Sequence, residues 1–136
     1  MNTSSSRAAF ARLRRLRRTD ALRRLVRENA LSADRMILPI FVSEVDAAQV
    51  EISSMPGVYR WPVEEVGEVL AEADKAGLGG VLLFGIPALK DTRGSEASAT
   101  GGVVQRAIRG IRDSGYEGVV VSDVCLCEYT DHGHCG

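Results

Sequence analysis

Asp123, Cys125, Cys127, His132, His134 and Cys135 crowd into residues 123–135. Thiolates are strong ligands for soft or borderline cations and unsuited to magnesium. Three that converge can hold zinc and leave its fourth position open, as in a catalytic site. A structural zinc instead closes its shell with a fourth Cys or His. His132 or His134 can supply that ligand, so spacing alone leaves both arrangements open. The histidines can also support the ligands without touching the metal. Two further readings compete: a redox dithiol, and cysteines with no chemistry, because a Cys-x-Cys pair alone is a weak signal. An odd number of cysteines in one short segment argues against a disulfide framework and fits a reducing cytoplasm.

Such a site needs elements to position it. Gly118–Val124 is an apolar run that reads as a strand. Side chains on a strand alternate, so Asp123, Cys125 and Cys127 share one side if the strand runs that far. Cys135 then returns after a polar loop. Two more buried strands are read at Met36–Val42 and Gly80–Gly85, and Pro39 belongs at a strand start or an unpaired position. Met55-Pro56-Gly57 is a turn. A helix is expected from Pro62, with Val63, Val66, Leu70, Ala73 and Ala76 on its apolar face and Gly77 as its stop. Pro87–Thr100 reads as a polar loop, and its Gly94-Ser95-Glu96 segment is either plain surface or a lining of the site mouth. Val103, Val104, Ala107, Ile108 and Ile111 mark a second helix ended by Ser114-Gly115. The order βαβαβ calls for parallel strands with right-handed crossovers. It fits an open doubly wound sheet or the start of a (β/α)8 barrel, and both place ligands at the C-terminal strand ends.

The chain has 136 residues, 45% hydrophobic and 26% charged, which excludes disorder throughout. A whole barrel needs about 250 residues. No apolar run is long enough for a membrane span, and no apolar signal core follows the basic start. The net charge of −1 hides an asymmetry. Residues 1–35 carry ten arginines against Asp20, Glu28 and Asp34, while the remainder is acidic. Residues 2–6 read as a frayed terminus. The apolar positions from Phe10 to Val26 have helical spacing, with Thr19-Asp20 able to cap a short second helix over Ala21–Asn29. Such an arm suits a solvated helix, a neighbouring subunit, a nucleic acid or a transit sequence.

The segment Asp-Val-Cys-Leu-Cys-Glu-Tyr-Thr-Asp-His-Gly-His-Cys-Gly at 123–136 closely resembles the zinc-site signature of the porphobilinogen synthase (delta-aminolevulinic acid dehydratase) family. Supporting stretches follow in order: residues 14–19, Leu38–Val42, Ser54–Arg60, Leu89-Lys90-Asp91, Gly94–Ala97 and Val104–Arg109. The resemblance implies an α/β fold, the N-terminal part of a (β/α)8 TIM barrel (36–136) preceded by a basic helical arm (1–35) that wraps a neighbouring subunit. It implies a cytoplasmic lyase that condenses two 5-aminolevulinate molecules to porphobilinogen, with loss of two waters, in tetrapyrrole (haem) biosynthesis. Its homo-oligomer is an octamer, and nucleic acid and membrane are not among its partners. By resemblance, Cys125, Cys127 and Cys135 bind the catalytic zinc, Asp123 assists proton transfer, and His134 supports the ligands. Magnesium at a further site is compatible with the resemblance, and no residue is assigned to it. The family also forms Schiff bases through two lysines on later strands. Only Lys75 and Lys90 occur here, in neither motif. The chain therefore reads as a truncated enzyme, inactive alone; the competing reading is a small stand-alone zinc-binding or redox module.

Overall fold

The computed structural model describes residues 14–135. The expected frayed terminus and the helical positions Phe10 and Leu13 lie outside them. Two compact units divide at Leu31. In the first, α1 spans Asp20–Leu25. Thr19 caps it, its side-chain oxygen accepting the Leu22 N–H at 3.2 Å. The helix stops four residues short of the expected Asn29.

The second unit is a five-stranded sheet with two helices. Its strands are β1 (Ile37–Ser43), β2 (Val50–Glu51), β3 (Tyr59–Pro62), β4 (Gly80–Ile86) and β5 (Val119–Ser122), in the spatial order β2-β3-β1-β4-β5. β1, β4 and β5 are parallel neighbours, as the βαβαβ pattern requires. β3 is also parallel to β1, and β2 is antiparallel to β3. Pro39 lies ahead of Phe41–Ser43, the stretch of β1 paired on both sides. Its missing N–H therefore costs no rung on the β3 edge.

Two expectations need correction. Pro62 closes β3 and does not open a helix: a 3-10 turn covers Val63–Glu65 and α2 spans Val66–Lys75. β5 ends at Ser122, so strand alternation is not what gathers Asp123, Cys125 and Cys127.

The helices settle the choice between windings. α2 and α3 (Val103–Asp113) both pack on one face. Val66, Val69, Leu70 and Ala73 from α2, with Val103, Val104, Ala107 and Ile111 from α3, enclose Ile40, Val42, Val81 and Leu83. These strand residues share a face, since Ile40 pairs with Leu83 and Leu38 with Val81. Burying each such aliphatic side chain contributes about 1.5–3 kcal/mol. A doubly wound sheet would carry helices on both faces; one-sided winding is that of a barrel wall. The opposite face shows Phe41 stacked on Phe84 at 5.2 Å, flanked by the exposed Ile37, Val119 and Val121. β1 accordingly has no buried residue before Ile40, so the expected burial on both sides fails at its start.

Candidate metal centre

The chain leaves β5 with one extra rung, the Asp123 N–H donating to the Leu83 carbonyl at 3.0 Å. The Asp123 carboxylate then accepts the Cys125 N–H at 3.2 Å and turns the backbone. The next turn closes when Tyr129 and Thr130 N–H groups both donate to the Leu126 carbonyl, at 2.9 and 3.0 Å. Tyr129 anchors this turn in the core. It is 6% exposed and lies over Gly85, where any Cβ would collide with its hydroxyl and with Val103 and Val104. Tyr129 and Trp61 both belong to the buried core. The buried Thr130 hydroxyl donates to the His134 carbonyl at 3.1 Å. The Gly133 N–H donates to the Thr130 carbonyl at 3.3 Å, and the chain folds back.

That return delivers Cys135. Its sulfur lies 2.9 Å from that of Cys125 and 3.1 Å from that of Cys127. All three are free thiols, and a disulfide would need about 2.05 Å. A second group, Asp123, Cys125 and Glu128, also has its ligand atoms within 4.8 Å of one another. Buried Glu128 Oε2 has no hydrogen-bond partner. Cys125 belongs to both groups. The chemistry of the donors fits a soft or borderline divalent cation, with a carboxylate at its margin.

The thiols are unequal. Hydrogen bonds from Cys125 and then Cys127 hold the Cys135 thiol below its usual range. The Cys127 thiol is pushed up to about 12, first by its hydrogen bond to Cys135 and then by that to Cys125. One negative charge is accommodated and the next resisted, which is what a cation would reverse.

The imidazole of His134 stacks on that of His132 at 6.2 Å, and both side chains are exposed. The loop after β4 is built against the cysteine turn. Asp91 forms a parallel bridge with Thr130. A 3-10 turn at Ser95–Ser98 follows. Asp91 and Glu128 are the site residues that sequence reasoning misses. Glu128 stands inside the motif with nothing in its type to distinguish it from solvated glutamates. Lys75 and Lys90 are exposed. A cavity of about 250 Å³ between α3 and the end of β5 is lined by Gln105, Ser122, Asp123 and Cys125, among others.

Fold and site together define a class: a parallel α/β wall with a cluster of three thiols able to hold a metal beyond the C-terminal strand ends. The family model described as "Delta-aminolevulinic acid dehydratase" matches residues 10–136, and the chain belongs to that family. The delta-aminolevulinic acid dehydratase of Halalkalibacterium halodurans is 45% identical over 127 residues, covering 93% of this chain and 39% of that protein. Its counterpart from Ruminiclostridium josui is 47% identical over 125 residues, covering 92% and 61%. Among solved structures, the Toxoplasma gondii delta-aminolevulinic acid dehydratase (porphobilinogen synthase), in complex with the reaction product porphobilinogen, superposes with a TM-score of 0.85. It is 33% identical, with 93% of this chain and 36% of that one covered. The chain thus spans about two fifths of the length of several relatives it matches, and its fold is that of the first part of a (β/α)8 barrel. Among the described residues no helix is long and apolar enough to cross a membrane.

Proposed function

We propose that this chain carries the metal half of an active site that condenses two 5-aminolevulinate molecules to porphobilinogen. The observation that carries the reading is the meeting of three thiols beyond a parallel strand. The cation is zinc, held by Cys125, Cys127 and Cys135. With Cys135 within 3.1 Å of both other sulfurs, the three thiols are close enough that they would share one such cation. When bound, zinc supplies Lewis acidity and a template for the second substrate. The rest falls to the chain's own groups. Asp123 holds the turn through the Cys125 N–H and keeps a carboxylate beside the ligands, where it takes or returns a substrate proton. His134 supports the return of Cys135 through its carbonyl.

The carbonyl chemistry of such a condensation uses lysine amines as nucleophiles. By family resemblance these are two lysines on later strands, and Lys75 and Lys90 are in neither motif. The 136 residues alone therefore give no turnover. Residues 1–35 act as the arm that joins subunits of a cytoplasmic homo-oligomer, an octamer in the family, and 36–136 as the barrel part. Metal analysis of the purified chain tests the reading. One zinc per wild-type chain and clearly less in Cys125→Ala is expected; equal zinc in both overturns the ligand set.

A further inference from the structure

The loop after β4 contributes no ligand, yet its backbone is fastened to the cysteine turn. The Asp91 N–H donates to the Tyr129 carbonyl at 3.3 Å, and the Asp131 N–H donates to the Asp91 carbonyl at 3.2 Å. These bonds form one parallel rung, Asp91 beside Thr130. The Asp91 side chain fixes its own end of the rung. Its Oδ1 accepts the N–H groups of Arg93 at 2.9 Å and Ser95 at 3.0 Å. Those bonds also hold its carboxyl below the ordinary aspartate range, the Ser95 N–H having the largest effect.

The tight turn they make brings Gly94 to a φ of +63°, a conformation glycine adopts without cost. A Cβ there would already touch Tyr129 at 3.4 Å and Leu126 at 3.5 Å. The two loops are therefore in close packing as well as hydrogen-bonded. On the far side of the rung, the Thr130 hydroxyl donates to the carbonyl of His134, the residue before Cys135. A continuous line runs from the Asp91 carboxylate through Thr130 to the third thiol.

We propose that Asp91 is a positioning residue for the metal: its carboxylate braces the rung that presets Cys135 against Cys125 and Cys127. This deepens the metal reading and rests on it. The carboxylate acts here as a hydrogen-bond acceptor. An asparagine oxygen accepts the same two N–H groups, whereas alanine accepts none. Residues that orient ligands typically change metal affinity by about 10–100-fold when removed.

The test is titration of the full chain with cobalt(II), followed by its thiolate-to-metal charge-transfer band. Wild type is expected to show the band, and Cys125→Ala to lose most of its intensity. Asp91→Ala should bind cobalt about 10–100-fold more weakly, with the thermal midpoint of the metal-free chain little changed. Asp91→Asn should stay within about threefold of wild type, because its acceptor oxygen is retained. Thr130→Val cuts the line at its next link, and weaker cobalt binding is expected there too. It keeps the proposal testable if Asp91→Ala does not fold. Wild-type affinity in Asp91→Ala or Thr130→Val overturns the proposal alone, as does an Asp91→Asn variant as weak as alanine. A wild-type chain without the band, or one whose band survives intact in Cys125→Ala, overturns the metal reading and this proposal with it.

Discussion

The three thiols meet beside two carboxylates, Asp123 and Glu128. Once Cys135 is ionised, its two neighbours donate to it, and the Cys127 thiol, pushed up to about 12, keeps its proton through the neutral range. A divalent cation must displace such protons, so affinity rises with pH and binding releases protons. Calorimetry in buffers of different ionisation enthalpy should detect that release; binding without it would contradict a thiolate site. The sign differs from that of a thiol's contribution to folding. A folded-state value raised above the unfolded one favours the fold below the unfolded value of about 9 and weakens it as pH rises further. Asp91 runs the other way. Its lowered carboxyl favours the fold above about pH 4, and that contribution disappears as pH falls through its folded value. Also at this scale, Gly85→Ala drives a methyl into the Tyr129 hydroxyl and two valines. It should cost about 1–3 kcal/mol in urea unfolding; an unchanged midpoint would show that the Tyr129 turn is not packed as described. The cysteines are legible from type and spacing. Asp91 is not, because it acts through a backbone rung between loops far apart in sequence.

The elements are positioned by one face of the sheet. Leu83 is fully buried between the two helices, and Leu83→Ala should cost about 2–5 kcal/mol in urea denaturation. A loss well under that would mean α2 and α3 do not close over β4. The three apolar runs at 36–42, 80–85 and 118–124 are legible as strands because continuous apolar sequence marks parallel strands, even though helices cover only one face here. They correspond to β1, β4 and β5 with small shifts at the ends. β3 is hidden because a four-residue strand ending in Pro62 looks like a helix start. β2, two residues with both side chains exposed, leaves no periodic trace. The winding is likewise unreadable from the order βαβαβ, because the choice between one helical face and two lies in the crossovers' tertiary packing. The convergence of the cysteines is expected from strand alternation, yet Asp123 and the Tyr129 turn produce it after the strand has ended.

At the scale of the molecule, the second sheet face is the consequential feature. Ile37 is 53% exposed and Val119 61%, beside the Phe41–Phe84 stack. An apolar face of this kind promotes association, and β5 has a free edge that invites pairing. The 136-residue chain should bind a hydrophobic dye and self-associate, and Val119→Lys with Val121→Lys should reduce both in sedimentation and fluorescence. Unchanged behaviour would show that another surface drives association. Spanning about two fifths of several relatives, the chain brings three thiols together, while its two lysines lie elsewhere. X-ray absorption at the zinc edge reads the proposed thiolate site directly. Three sulfur neighbours at about 2.3 Å and one lighter atom are expected, falling to two sulfurs or to no bound zinc in Cys125→Ala. A shell of nitrogen and oxygen alone, or one that Cys125→Ala leaves unchanged, would contradict the thiolate site.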